Sequence, residues 1–193
     1  EYNKTVFKKN KGQIEKRSIE DAKKLLLKAG YDNGIDKKTG KPLILYFEAT
    51  GAGADTYAFL NWLRKQFKKI NIQLVTRVTD YNRFQEKMIN GTGQIFQWGW
   101  NADYPDPENF LFLLYSKNGK VKFGGENASN YESEAFDKLF KQMKNMKNSQ
   151  KRREIIKEML KIVQSDSPWI WGFHPKSFSL SHGWVENTES NLM

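Results

Sequence analysis

The sequence predicts an α/β domain, a parallel or mixed sheet with helices on its faces. Three observations carry that reading. Between residues 43 and 100 the pattern runs strand, helix, strand, helix, strand, the order that places helices across parallel connections. The chain has 193 residues, the size of one ordinary domain, which can bury about 70% of the surface its unfolded form exposes. Hydrophobic residues make up 38% and aromatics 14%, enough apolar surface to offset the entropy of ordering the chain.

Taken in order, residues 1–17 are polar and aperiodic and read as a lead-in segment. Ser18 opens a helix, and Asp21 three residues on completes a capping box. Leu25, Leu26, Leu27 and Ala29 supply its apolar part, and Gly30 is its stop. Asn33-Gly34 and Thr39-Gly40 mark turns. Leu43 to Phe47 reads as a buried strand. A helix from Ala54 to Ile70 follows, with Ala58, Phe59, Trp62, Leu63, Phe67 and Ile70 as its buried stripe. Ile72 to Thr79 alternates as a strand, and Asp80 caps a helix that ends at Asn90-Gly91. Ile95 to Trp100 is the third strand, and a short helix crosses Asn109 to Tyr115. Lys117 to Asn130 is a polar loop. Two amphipathic helices follow, one carrying Phe136, Leu139, Phe140 and Met143, the other Ile155, Ile156, Met159, Leu160, Ile162 and Val163. Trp169 to Phe173 and Phe178 to Leu180 read as closing strands.

The formal charge is +10, from 32 Lys+Arg against 22 Asp+Glu. The cations recur at helical spacing, as in Lys138, Lys141, Lys144 and Lys147. That spacing marks solvated helix faces rather than a nucleic-acid footprint. There is no cysteine, which excludes disulfides, thiolate metal sites and Cys nucleophiles. No apolar run reaches the roughly 18 residues that a membrane helix needs. The chain starts without Met and without an apolar leader, so the expectation is a processed chain or a fragment.

Function concentrates in Trp98-Gly99-Trp100-Asn101-Ala102-Asp103-Tyr104-Pro105-Asp106-Pro107-Glu108-Asn109-Phe110. The segment lies just beyond the end of a predicted strand, where open α/β sheets bind ligands. Two indoles offer flat apolar walls, and a carboxylate offers an anchor for a cation. That combination suits an amine beside apolar groups, such as the amino end of a peptide. A structural reading stands beside it. Trp98 and Trp100, two apart on a strand, would share one face as core, and Asp106 and Glu108 would serve the start of the next helix. Asp103 is the preferred ligand contact, because no helix start follows it directly.

Gly99-Trp100-Asn101-Ala102-Asp103-Tyr104-Pro105-Asp106-Pro107-Glu108-Asn109-Phe110-Leu111 resembles the signature segment of the family 5 extracellular solute-binding proteins, the peptide-binding proteins of ABC importers. Ser18 to Tyr31, Phe67 to Leu74, Tyr131 to Leu139 and Ser167 to Ser179 resemble further stretches in the family's order, from about residue 15 to residue 185. The resemblance implies one lobe of a periplasmic-binding-protein-like fold of type II, a mixed sheet flanked by helices. Residues 1–17 would lead in, 18–185 would form the C-terminal lobe, and 186–193 would begin the return to the missing N-terminal lobe of the same chain.

It also implies a non-catalytic function: binding peptides or similar small solutes between two lobes that close by a hinge, and delivery to ABC permease subunits. The carrier would be a monomer in the periplasm or another extracytoplasmic space, with a lipid anchor left open, and would need no cofactor and no metal. In peptide-binding members the aspartate matching Asp103 takes the α-ammonium and the surroundings of Trp100 and Asn101 line the pocket; Trp98 and Tyr104 complete the set. Some members carry a basic residue three before the motif tryptophan, where this chain has Gln97.

The class alternative is a non-catalytic nucleic-acid-binding domain, suggested by charge and aromatics but without a recognition motif. A glycosidase using Asp103 with Asp106 or Glu108 has only their proximity in sequence behind it. His174 and His182 lack the partners of a metal site, and Gly51-Ala52-Gly53 lacks the Lys-Ser/Thr of a phosphate loop.

Overall fold

The computed structural model describes residues 6–174, 176, 178 and 180–186. Within its described residues the lead-in segment is not irregular but forms a hairpin. Strands β1 (Phe7–Asn10) and β2 (Gln13–Lys16) pair antiparallel around Lys11-Gly12, both at positive φ. That backbone matches the twist of a two-residue hairpin. Lys8 then reaches Asp21 at 3.1 Å and ties the hairpin to α1 (Ile19–Lys28). The expected capping box is present: the Ser18 hydroxyl accepts from the Asp21 N–H, and the Asp21 carboxylate accepts from the Ser18 N–H.

Tyr31–Asp32 (β3) and Ile35–Asp36 (β4) form a second hairpin around Asn33-Gly34. Gly34 sits at φ 77°, and a Cβ there would lie 1.9 Å from the carbonyl oxygen of Asn71. Only glycine meets both conditions.

The central sheet has three parallel strands: β5 (Ile44–Thr50), β6 (Gln73–Thr79) and β7 (Ile95–Phe96), in the order β6-β5-β7. Helix α2 (Ala54–Lys68) connects β5 to β6, and α3 (Tyr81–Ile89), capped by Asp80, connects β6 to β7. Right-handed crossovers running in opposite directions place α2 and α3 on opposite faces. The alternation along β5 agrees. Phe47 packs with Leu60 of α2 and Leu74, with Leu45 and Ala49 beside them. Its neighbour Glu48 points the other way and meets Lys87 of α3 at 2.5 Å. Glu48 is 1% exposed yet part of the strand, so β5 runs past the expected end at Phe47. Lys87, with Arg77 at 3.5 Å, compensates the buried charge.

The remainder is helical. Short α4 (Glu108–Leu111) runs into a 3-10 turn over Phe112–Leu114, and α5 (Lys120–Phe123) interrupts the expected loop. Helices α6 (Glu134–Met143) and α7 (Gln150–Asp166) form an antiparallel pair, capped by Ser133 and Ser149. Their stripes meet Leu111 and Leu114 in a core of Phe136, Phe140, Met143, Ile155, Met159 and Val163.

Three expectations are corrected. The third strand stops at Phe96, not Trp100, because past it the chain carries two bulky indoles that seat on helices rather than on β5. On α2 only Leu60 is buried; Leu63 and Phe67, and Ile70 just past the helix end, are partly covered, while Ala58, Phe59 and Trp62 are exposed, since the helix meets the narrow sheet along one line. Trp169 to Phe173 forms no strand: Trp169 packs on the helical core instead. The expected strand over Phe178 to Leu180 includes Ser179, and the resemblance over Ser167 to Ser179 includes Pro175 and Ser177; those three positions, like residues 187–193 of the expected return segment, lie outside the described residues.

Candidate functional site

With β5 between β6 and β7, the chain leaves β5 towards one face, while the strand beside it, β7, hands over to the segment after Phe96. This reversal is the switch point of an open α/β sheet. The segment that the sequence singles out starts there and ends in α4.

Its centre is Asn109, in the first turn of α4 and 2% exposed. The Trp100 indole Nε1–H donates to Asn109 Oδ1 at 2.9 Å, and the backbone N–H of Asp103 donates to the same oxygen at 2.9 Å. An indole N–H can only donate, so the amide oxygen must face it and the Nδ2 group must face away. Nδ2 donates to Asp103 Oδ2 at 3.1 Å. Asp103 is thus held at main chain and side chain by one buried amide. It remains exposed, and its Oδ1 has no hydrogen bond among the described residues. Trp100 is half-buried, with its ring edge-to-face on Phe112, centroids 5.4 Å apart.

The other expected residues go elsewhere. Trp98 packs edge-to-face on Phe84 of α3 at 5.4 Å, and the Lys120 ammonium stands 5.4 Å from its ring centre. The expected shared strand face of Trp98 and Trp100 is therefore not formed: one indole seats on the sheet half, the other on the helical half. Tyr104 is exposed and its hydroxyl donates to Glu108, a bond that pushes the phenol's pKa up. Asn101 is exposed.

Asp106 has the structural job that the sequence allows. Its Oδ1 accepts the N–H of Glu108 at 2.8 Å, satisfying a donor at the start of α4. Both of its oxygens are also gripped by Arg152 of α7, at 2.7 and 2.8 Å. The guanidinium holds the Asp106 carboxyl below the usual carboxylate range. Two grooves of about 510 and 390 Å³ run along α6, lined mainly by charged side chains, and neither touches residues 97–110. In the candidate segment Asn101, Asp103, Tyr104, Pro105 and Phe110 are exposed.

Sequence reasoning did not assign Asn109 or Arg152. Both left a signal. Asn109 is the one uncharged polar residue fronting the apolar run 110–114. Arg152 stands three before Ile155 and seven before Met159, which is the buried stripe of α7.

The family model for "Bacterial extracellular solute-binding proteins, family 5 Middle" matches residues 2–122. The chain belongs to that family. It is 28% identical to the oligopeptide-binding protein OppA of Bacillus subtilis, over 84% of this chain and 29% of that one. It is 27% identical to heme-binding protein A of Haemophilus influenzae, over 83% of this chain and 28% of that one. Among solved structures it is similar to the periplasmic binding protein DppA of Helicobacter pylori in complex with the peptide STSA, with a TM-score of 0.66, 26% identity, and coverage of 78% of this chain and 28% of that one.

The chain thus spans under a third of the length of these relatives. The fold is the mixed α/β kind of the type II periplasmic-binding proteins, of which this family-5 chain covers a part. Membership supports the solute-binding reading of the sequence and not the nucleic-acid-binding alternative. Among the described residues no helix is long and apolar enough to cross a membrane.

Proposed function

We propose that this chain supplies one wall of the ligand cleft in the substrate-binding component of an ABC importer, and that Asp103 receives a cationic amine of a peptide or similar small solute. The observation that carries this is the Asp103 carboxylate, held by the buried Asn109 amide next to the Trp100 indole while one oxygen stays open. A desolvated ammonium needs such a partner, and the adjacent ring covers the apolar part of the ligand. Trp100, Asn101 and Tyr104 line the same wall, with Trp98 at its sheet-side margin. Residues 18–185 act as the lobe, and the second wall comes from the part of the longer relatives that this chain does not span. The carrier works as a monomer outside the cytoplasm, hands its solute to permease subunits, and performs no catalysis; relatives named for oligopeptides and for heme are consistent with a cargo role.

The test is calorimetry on the protein with both lobes, after mass spectrometry of whatever small molecule co-purifies. Asp103→Ala should weaken amine-bearing ligands by about 2–5 kcal/mol, the cost of removing one partner of a buried charge pair. N-acetylated peptides should be insensitive to the same change. Equal losses for free and acetylated peptides would remove Asp103 from the role.

A further inference from the structure

Arg152 and Asp106 form a bidentate ion pair that the binding reading does not use, although it stands one hydrogen bond from the site. Arg152 is 2% exposed, inside the first turn of α7. Its Nε also donates to the Met143 carbonyl at the end of α6, 3.3 Å away. The guanidinium therefore joins three pieces of chain: the close of α6, the start of α7 and the candidate segment. A guanidinium fork on a carboxylate fixes direction as well as distance.

From Asp106 the constraint passes inward. Pro105 and Pro107 flank it and restrict the backbone on either side. Its carboxylate takes the Glu108 N–H at 2.8 Å, and its carbonyl takes the Asn109 N–H at 3.0 Å. Asn109 then carries Trp100 and Asp103 on its amide. Each link is a hydrogen bond of ordinary length, and every residue that the links join, except the exposed Asp103 at the end, is buried or partly buried. The path from α7 to the Asp103 carboxylate has no gap.

We propose that Arg152 is a positioning residue for the ligand wall: its fork on Asp106 sets the start of α4, and through it the angle at which Asn109 presents Trp100 and Asp103. This rests on the solute-binding reading of that wall. It adds that the presentation is set by the α6–α7 pair rather than by the sheet, although the segment departs from the sheet.

The experiment needs no ligand, so it stands or falls apart from the binding test. Indole and amide hydrogen exchange is followed by NMR in the ¹⁵N-labelled chain, with its six tryptophans assigned by single Trp→Phe variants. Two variants are compared with the parent: Arg152→Met, and Arg152→Met combined with Asp106→Leu. The second replaces the pair, buried at Arg152 and partly exposed at Asp106, by apolar groups of similar volume, a change that folded proteins commonly tolerate. It nevertheless removes the acceptor for the Glu108 N–H. Exchange at the Trp100 indole and the Asp103 amide should accelerate at least fivefold in both variants, while the Trp98 indole stays within twofold. Should the single variant not fold, the double variant decides. Unchanged protection at Trp100 and Asp103 in the double variant overturns the proposal. So does equal acceleration at all six indoles, which would make Arg152 a general stabiliser.

Discussion

The sheet half and the helical half of this molecule are finished to different degrees. In the helical half, α6 and α7 bury Phe136, Phe140, Met143, Ile155, Met159 and Val163 against each other and against Leu111 and Leu114. In the sheet half, the cluster under α2 has three buried members, Phe47, Leu60 and Leu74, while Phe59 and Trp62 stack on each other in solvent. No residue of helix α1 is fully buried. Two helices meeting along complementary stripes close a core by themselves; a three-stranded sheet with one helix on each face does not. The candidate segment bridges the two, with Trp98 resting on the unfinished half and Asp106 bolted to the finished one.

That contrast can be broken by mutation. Phe136→Ala, at 0% exposure, should cost about 4 kcal/mol in denaturant unfolding, the scale for emptying an aromatic from a core. Leu60→Ala, in the thinner cluster, should cost about 3 kcal/mol. A loss at Leu60 equal to or above that at Phe136 would reverse the ranking of the two halves. Ser149→Ala, which removes the cap of α7, should cost about 1 kcal/mol by the same measurement. Trp62→Ala should stay within about 0.5 kcal/mol despite the size of the side chain, because it is 54% exposed. A larger loss would show that α2 is covered in solution.

Acid sharpens the comparison further. Asp106 and Asp21 both have folded pKa values below the ordinary 3.8, Asp106 through Arg152 and Asp21, at about 2, through the Ser18 backbone N–H and then Lys8. A carboxyl depressed on folding contributes its stability above its unfolded pKa and loses it as pH falls through the folded value. Both contributions should therefore be intact above pH 4 and fade below 3.8, Asp21's down to about 2. Circular dichroism between pH 5 and 2 should show Asp106→Asn flattening the acid dependence of the helical half, with Asp21→Asn acting on the α1 region alone.

What the sequence made legible follows from local rules. The caps at Ser18 and Asp80 are side-chain contacts spanning three residues, and the turn at Asn33-Gly34 is set by backbone sterics. The capping box and the succession strand, helix, strand, helix, strand needed nothing from afar. Misjudged were positions settled by distant partners. Glu48 stays in a strand because Lys87, 39 residues on, neutralises it. Trp98 and Trp100 part company because Phe84 and Phe112 stand on different halves. The same holds within the candidate site. In the sequence the candidacy of Asp103 rests on its neighbours alone, whereas the grip of Arg152 spans 46 residues and carries no local mark beyond its place in the stripe of α7. Asn127 repeats the lesson: fully buried, it takes the Tyr131 N–H and donates to the Tyr115 and Tyr131 carbonyls, giving order to a stretch that reads as plain loop.

Gly34 carries an evolutionary corollary. Its left-handed backbone and the Asn71 carbonyl lodged where a methyl would sit act together, so no neighbouring repair can admit alanine without moving the strand entrance at β6. A library randomised at codon 34 and sorted only for folded protein should return glycine almost alone, while codon 12, whose surroundings are empty, should return asparagine and aspartate as well.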